Sequence, residues 1–257
     1  MKRSLTLPKR NKLLLSAVAL FIPTGLWAIH PKSAGPESFE IRFKLPPPKV
    51  LTPEEELATF KIAPGFHAEL VAAEPMVESP VAVAWDRKGR MFVCEMRGYM
   101  HDVEGAGEDQ PTGRVVMLED TNGDGKMDKR TVFADGLLMP RALMCVNGGL
   151  IVSEPPNLWF MKDTDGDGLA DVKESLDASY GTAGGQPEHM ANSPTWMLDN
   201  WIYSANHSKR YRLKDGKLID EVTGLRGQWG MAQDDFGRQF YNSNSDFLRS
   251  NLIPESL

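Results

Sequence analysis

The densest potential chemistry in the sequence is the stretch DTDGDGLAD at 163–171, with a near copy, DTNGDGKMD, at 120–128. In the second stretch Asp163, Asp165, Asp167, Asp171 and Glu174 fall at positions 1, 3, 5, 9 and 12 of a loop whose position 6 is Gly168. That is the ligand schedule of a calcium loop: closely spaced carboxylates wrap a hard cation, and the glycine permits the sharp turn. The first copy offers Asp120, Asn122, Asp124 and Asp128 around Gly125, but Thr131 stands where the bidentate Glu would be, so weaker binding is expected there. The flanks RVVMLED and LWFMKD are strand-like, which excludes an EF-hand. Asp, Asn and Gly are also the residues of tight turns, so a metal loop and a plain hairpin connection both remain open. Neither loop holds a nucleophile or an acid–base pair, and the role expected of both is structural.

The elements that must carry these loops are short apolar runs separated by turn residues: FHAELVAA, VAVAWD, RMFVCEM, RVVMLED, RALMCVN, LIVSE, LWFMKD, WIYSAN, YRLKD and RQFYNSN. Such spacing predicts an all-β domain. Four segments also repeat one another: PVAVAWDRKGRMFVCEM, PRALMCVNGGLIVSE, PTWMLDNWIYSAN and WGMAQDDFGRQFYNSN. Each is a strand, a polar turn and a second strand, and three of the four continue to a further strand that ends in LEDTNGDG, MKDTDGDG or RLKDG. Self-similarity at roughly forty to sixty residues in four-stranded units predicts a β-propeller, with a solenoid or sandwich as the alternative. About four units fit between 66 and 257 at that spacing, and the last lacks outer strands. The chain is thus read as the N-terminal part of a propeller. Before it, Thr52 as N-cap, Pro53 at the first helical position and Glu55 three residues after the cap predict a short helix that stops before Pro64-Gly65.

Lys2, Arg3, Lys9, Arg10 and Lys12 precede an apolar run from Leu13 to Ile22 and a Pro23-Thr24-Gly25 break. This order predicts a signal peptide over 1–28 and hence export to the periplasm or cell envelope; retention of the segment as an anchor would give membrane association. Residues 29–50 read as a Pro-rich linker. The chain carries a net charge of −6 and no basic run beyond its first twelve residues, which argues against a nucleic-acid partner. Cys94 and Cys145 sit in apolar strand-like runs, compatible with one disulfide or with two buried thiols.

The stretches TPEEELATFKIAPGFHAELVAAEP, RMFVCEMRGY, GRVVMLEDTNGDGKMDKRTVFADGL, QPEHMANSPTWMLDNWIYSAN and RGQWGMAQDDFGRQFYNSN together resemble a known family. They are similar to the exported, membrane-bound dehydrogenase-like propeller proteins of planctomycetes and verrucomicrobia, relatives of the quinoprotein glucose and sorbosone dehydrogenases. The resemblance runs from about Leu51 to the C-terminus. It implies a six-bladed propeller holding pyrroloquinoline quinone on its axis, a sugar or related alcohol as substrate, and a c-type cytochrome domain as electron acceptor. By the same resemblance His189 is the general base, a role open to an imidazole near pH 7. Glu188 is its acidic neighbour, Arg226 reaches the quinone carboxylates, and Glu95 and Arg97 line the top of the channel. Long members carry a haem domain with CxxCH, a motif this chain does not contain, and where the relatives hold calcium with a Gly-Pro pair this chain has Ser245-Asp246. Two functions therefore stand: an exported quinoprotein-type dehydrogenase, or a copy that has lost this activity; and a calcium-stabilised propeller that binds a glycan or protein without catalysis. For the second, Trp196, Trp201, Tyr203 and Trp229 would suit sugar stacking.

Overall fold

The computed structural model of the chain describes residues 49–181, 186–215 and 217–251. The expected signal peptide and nearly all of the linker lie outside the described residues, of which only Lys49 and Val50 belong to that linker. Among the described residues no helix is long and apolar enough to cross a membrane.

Helix α1, Pro53–Leu57, is held by the predicted capping box: Glu55 N donates to Thr52 Oγ1 at 3.2 Å, and Thr52 N donates to Glu55 Oε2 at 3.0 Å. It is one turn long, shorter than expected, because none of its residues is buried and nothing apolar rewards a second turn.

Among the described residues fifteen strands follow in four antiparallel meanders. Blade 1 is β1 (Pro80–Trp85), β2 (Met91–Glu95), β3 (Gly113–Glu119) and β4 (Lys129–Leu137). Blade 2 is β5 (Ala142–Val146), β6 (Gly149–Glu154), β7 (Asn157–Lys162) and β8 (Val172–Asp177). Blade 3 is β9 (Asn192–Trp196), β10 (Ile202–Ala205), β11 (Lys209–Lys214) and β12 (Lys217–Val222), and blade 4 has β13 (Met231–Gln233), β14 (Gln239–Tyr241) and β15 (Arg249–Ser250). Strand β1 lies beside β5, β5 beside β9 and β9 beside β13, so the first strand of every blade is innermost. This is the β-propeller that the repeat predicts. The sequence-predicted strand FHAELVAA is not one: residues 66–73 join no sheet. They instead run along the outside of blade 1, where Val71 and Ala72 cover Met91, Val93, Val116 and Leu118.

Short turns repeat their chemistry. Between β1 and β2, Asp86 Oδ1 accepts Lys88 N and Arg90 N while Oδ2 accepts Arg90 Nε at 2.8 Å. Between β13 and β14, Asp234 does the same with Phe236 N, Arg238 N and Arg238 Nε. Gly89 and Gly237, both at φ 78°, supply the left-handed residue each turn needs.

Three interfaces hold the blades together. Blades 1 and 2 share an apolar core of Phe92, Cys94, Val115, Met117, Phe133, Leu137, Leu143, Leu150, Val152 and Met161. Each such side chain contributes about 1.5–3 kcal/mol by burial. Cys94 lies in this core with Cys145 packed against it; both are free thiols, and burial pushes both up from the usual thiol range. Backbones also close in here, since a Cβ on Gly113 would sit 2.4 Å from Pro140 Cδ.

Blades 2 and 3 meet through Ile151, Leu158, Tyr180, Ala191, Ile202 and Tyr211. A polar chain runs through this seam. His207 Nε2 donates to Tyr211 Oη at 2.7 Å, and Tyr211 Oη donates to Asp177 Oδ2 at 2.8 Å. Burial alone would raise Asp177, but hydrogen bonds from Lys209, Ser179 and Tyr211 outweigh it and hold the carboxyl well below its usual range. Burial pushes His207 down to about 4. Both groups act in the same direction. The unfolded chain takes up a proton at His207 near pH 6.5 that the folded protein refuses, so stability falls as pH drops from about 6.5 toward 4, by about 3 kcal/mol from this group. Asp177 adds a further loss below about pH 4. Urea midpoints measured at pH 7, 5.5 and 4.5 should fall steadily, and His207→Gln should flatten the decline between pH 6.5 and 4.5.

Candidate functional site

A meander places alternate turns at opposite ends of a blade. The DTNGDG and DTDGDG loops, between β3 and β4 and between β7 and β8, share the lower rim with the β1–β2 and β5–β6 turns. The innermost strands begin at the upper rim, together with the β2–β3, β6–β7 and β10–β11 connections.

At the lower rim the two acidic loops have one geometry. Asp163 Oδ1 and Oδ2 accept Gly166 N at 2.7 Å and Gly168 N at 3.0 Å; Asp120 accepts Gly123 N at 2.6 Å and Gly125 N at 2.8 Å. These N–H groups hold both aspartates below the usual carboxylate range. Asp165 and Asp167 each accept the N–H two residues on, as Asn122 and Asp124 do in the first loop. Asp128 and Asp171 turn back to the N–H and hydroxyl of Thr121 and Thr164. The eighth residue of each loop then ties it to what precedes: Met127 N donates to Val71 O at 2.9 Å, and Ala170 N to Phe133 O at 2.8 Å. These loops are therefore braces between neighbouring units. Oxygens of Asp163, Asp165 and Asp167 also converge within 4.8 Å of one another, the crowding a hard cation would relieve. Glu174 does not join them. It and Thr131 lie in the outer strands, paired with Phe160 and Met117, which carries both past the loop: the twelve-residue schedule assumes a helix where this chain has a strand.

At the upper rim the β2–β3 connection of blade 1, the entry to blade 3 and the entry to blade 4 meet at a cleft of about 720 Å³ lined by Tyr99, Pro187, Glu188, His189, Gln228 and Trp229, among others. Pro187–His189 form a single 3-10 turn, with proline at its first position and Glu188 and His189 exposed. Tyr99, from the β2–β3 connection, donates to Glu188 Oε1 at 2.6 Å; that bond holds Glu188 below the carboxylate range and pushes the phenol up to about 12. From blade 4, Trp229 Nε1 donates to Glu188 O at 3.0 Å. Gln228 takes the N–H of Asn244 on its Oε1 at 3.0 Å, which turns its amide nitrogen toward His189, 3.2 Å from Nδ1. Asn192, wholly buried at the start of β9, donates to both Met190 O and Gln228 O and so ties blade 3 to blade 4 directly beneath the cleft. The result is an anionic acceptor, an imidazole and an indole face held on one wall.

Of the residues expected around a cofactor, then, the structure brings together only Glu188 and His189. Glu95 is 0 % exposed: Oε1 accepts Glu78 N at 2.9 Å and Oε2 faces Arg130 Nη2 at 3.3 Å. Glu154 repeats it in blade 2, accepting Leu138 N and Trp159 Nε1. Both glutamates pin the chain as it enters a blade, so Glu95 is not a channel residue. Arg97 pairs with Glu78 at 2.7 Å beside a different cleft. Arg226 is 2 % exposed, donates to Gly224 O and Thr223 Oγ1, and lies 4.5 Å over the ring of Tyr203. It ends a column in which Arg212 and Arg210 sandwich Trp201 at 4.1 and 4.4 Å, and Arg210 also meets Tyr203. Trp201 and Tyr203, expected as stacking residues, are thereby buried in the seam between blades 3 and 4. Tyr99, Gln228 and Asn244 went unsingled in the sequence because each sits in a connection without periodicity; the repeated strand openings RALM, NSPT and WGMA were the signal that marked this rim.

The sequence model of a domain of unknown function, DUF7133, matches residues 52–257. The chain belongs to the DUF7133 family. No curated protein matches this DUF7133 sequence. Similar solved structures include a gluconolactonase of Xanthomonas campestris (16 % identity, 68 % of this chain and 57 % of that one, TM-score 0.45). Others are the holo pyranose dehydrogenase PQQ domain of Coprinopsis cinerea (11 %, 64 % and 43 %, 0.44) and a virginiamycin B lyase of Staphylococcus aureus (12 %, 69 % and 56 %, 0.37). The DUF7133 chain spans about half the length of these structures. At such identities and overlaps they add nothing to the fold read from strand order.

The buried column predicts that Arg226→Ala lowers unfolding free energy by about 3 kcal/mol, from lost stacking and two charge-assisted hydrogen bonds. Arg226→Lys should recover less than half of it. Chemical denaturation checks both.

Proposed function

We propose that this DUF7133 chain is an exported propeller that binds a small polyhydroxylated ligand in the upper-rim cleft and is braced at the lower rim by a calcium ion. The observation that carries the reading is the convergence at one cleft of Tyr99, Glu188, His189, Gln228 and Trp229 from three different blades. Glu188, ionised at neutral pH, accepts hydrogen bonds from ligand hydroxyls. Trp229, 36 % exposed, offers an apolar face to the C–H groups of a sugar or polyol. His189 supplies a further polar contact, and the Asn244–Gln228 pair keeps it turned into place. Export rests on the basic and apolar N-terminus alone.

A quinoprotein dehydrogenase is the second reading, favoured by one observation: Glu188 and His189, which the sequence resemblance makes acid neighbour and base, do line the cleft. The residues do not fit the quinone, however. Arg226 is bonded inside a seam and Glu95 is sealed at the entry to blade 1, so neither anchor is free to reach a cofactor on the axis. For the cation, the three converging carboxylates of 163–167 and an all-oxygen donor set favour calcium.

Titration of the chain with a panel of aldoses and polyols, followed by tryptophan fluorescence, should show saturable binding that weakens at least about tenfold in Trp229→Ala and Glu188→Gln, about 1.4 kcal/mol each. No binding across the panel would overturn the reading. Turnover with pyrroloquinoline quinone and calcium, abolished in His189→Ala, would select the dehydrogenase. Millimolar calcium should raise Tm by several degrees over chelator, by binding the folded state alone. The double change Asp165→Asn, Asp167→Asn should remove that rise.

A further inference from the structure

One layer beneath the cleft lies a charge that no role above accounts for. Arg141 opens blade 2, its N–H donating to Ser153 O at 3.0 Å, and its side chain is 1 % exposed. Nε donates to Met139 O at 3.3 Å and Nη1 donates to Pro187 O, the residue that floors the cleft. Both partners are neutral carbonyls. The other buried arginines among the described residues are matched differently: Arg210 pairs with Glu221 at 2.8 Å and lies on Trp201, and Arg226 lies on Tyr203. Among the described residues Arg141 has neither a carboxylate nor an aromatic face. The ionisable groups that face it are the phenols of Tyr99 and Tyr180, each pushed up to about 12 and hence neutral.

Tyr180, 0 % exposed, turns its phenol toward the buried hydroxyls of Ser204 and Ser153. Around the guanidinium the described residues thus supply neutral hydroxyls and carbonyls, and no carboxylate. Burying a cation whose partners are neutral carbonyls is costly, and desolvation already draws Arg141 down to about 10. A group kept at that cost directly under a ligand cleft is explained by an anion that arrives with the ligand.

We propose that Arg141 is the seat for a carboxylate, and that the ligand of this cleft is a sugar acid, an aldonate or uronate, rather than a neutral sugar. This rests on the polyol reading above. The carboxylate takes the place of Pro187 O on the guanidinium fork, whose two parallel donors match it. The hydroxylated remainder then lies against Glu188, His189 and Trp229. Glu188 does not compete for the seat, because its oxygen is already committed to Tyr99.

The test compares D-gluconate with D-glucitol, which differ at the carboxylate, on the full chain by calorimetry, with acetate as a competitor. Gluconate should bind at least about tenfold tighter than glucitol, acetate should compete with it, and Arg141→Met should reduce the preference to twofold or less while Arg141→Lys keeps part of it. Equal binding of the two would overturn the carboxylate seat and leave the polyol reading standing, as would a preference that survives Arg141→Met. Acetate binding that depends on Arg141, without binding of either polyol, would sustain the seat and overturn the polyol reading. Binding of none of the three would sink both. Should Arg141→Met fail to fold, acetate competition on the unaltered chain decides the matter.

Discussion

A sheet of four antiparallel strands built from valine, leucine, methionine and phenylalanine has two apolar faces, and each must be covered by another sheet or by a strip of chain laid across it. Most of the architecture follows from that need. Blade 1 places Phe92, Val115 and Met117 against blade 2 and turns Met91, Val93 and Val116 the other way, onto the irregular segment around Val71. Face-to-face stacking about a common centre then puts all innermost strands side by side and brings all their starting points to one rim. A cleft at that rim is shared between blades by construction, which is why its wall draws on connections almost ninety residues apart, at Tyr99 and Glu188.

Buried carboxylates set where those starting points lie. Glu95 and Glu154 occupy corresponding places at the ends of β2 and β6, and each accepts a backbone N–H from the segment about to enter its own blade. The cost of desolvating them is offset by cations or an indole on the second oxygen. The acidic loops do a complementary job at the opposite rim, folding their aspartates onto their own N–H groups and handing one further N–H to the neighbouring unit. Rigid fastening at both rims leaves the three-residue turn at Pro187–His189 as a short, exposed element between fixed supports.

The repeat makes the propeller legible in the sequence, because each blade carries the same strand–turn–strand signature, with Asp to accept the turn's N–H groups and Gly to take its left-handed position. Blade 4 and the capping box at Thr52 were legible in the same way. FHAELVAA was not, since alternation reports only that one side is buried, and burial here comes from packing across a finished sheet rather than from pairing within it. The candidate site was half legible. Glu188 and His189 announce themselves as polar residues ahead of an apolar strand, but Glu95 has the same signature and is sealed away. What separates them is the second oxygen of Glu95, whose arginine partner stands thirty-five residues downstream. Arg141 was visible as a lone cation amid LLMPRALMCV, a context that marks an oddity without saying what it faces.

The seams between blades are not chemically alike. The first is sealed by hydrocarbon and the second by hydrocarbon with the His207–Tyr211–Asp177 chain running through it, whereas the third is a column of guanidinium heads alternating with Trp201 and Tyr203. Guanidinium chloride is a concentrated solution of those same heads. It competes for the indole and phenol faces directly, in addition to its general solvation of exposed surface, whereas urea lacks the charge to do so. Blade 4 is therefore fastened by an adhesive with a selective solvent, and the two denaturants would take this propeller apart in different orders.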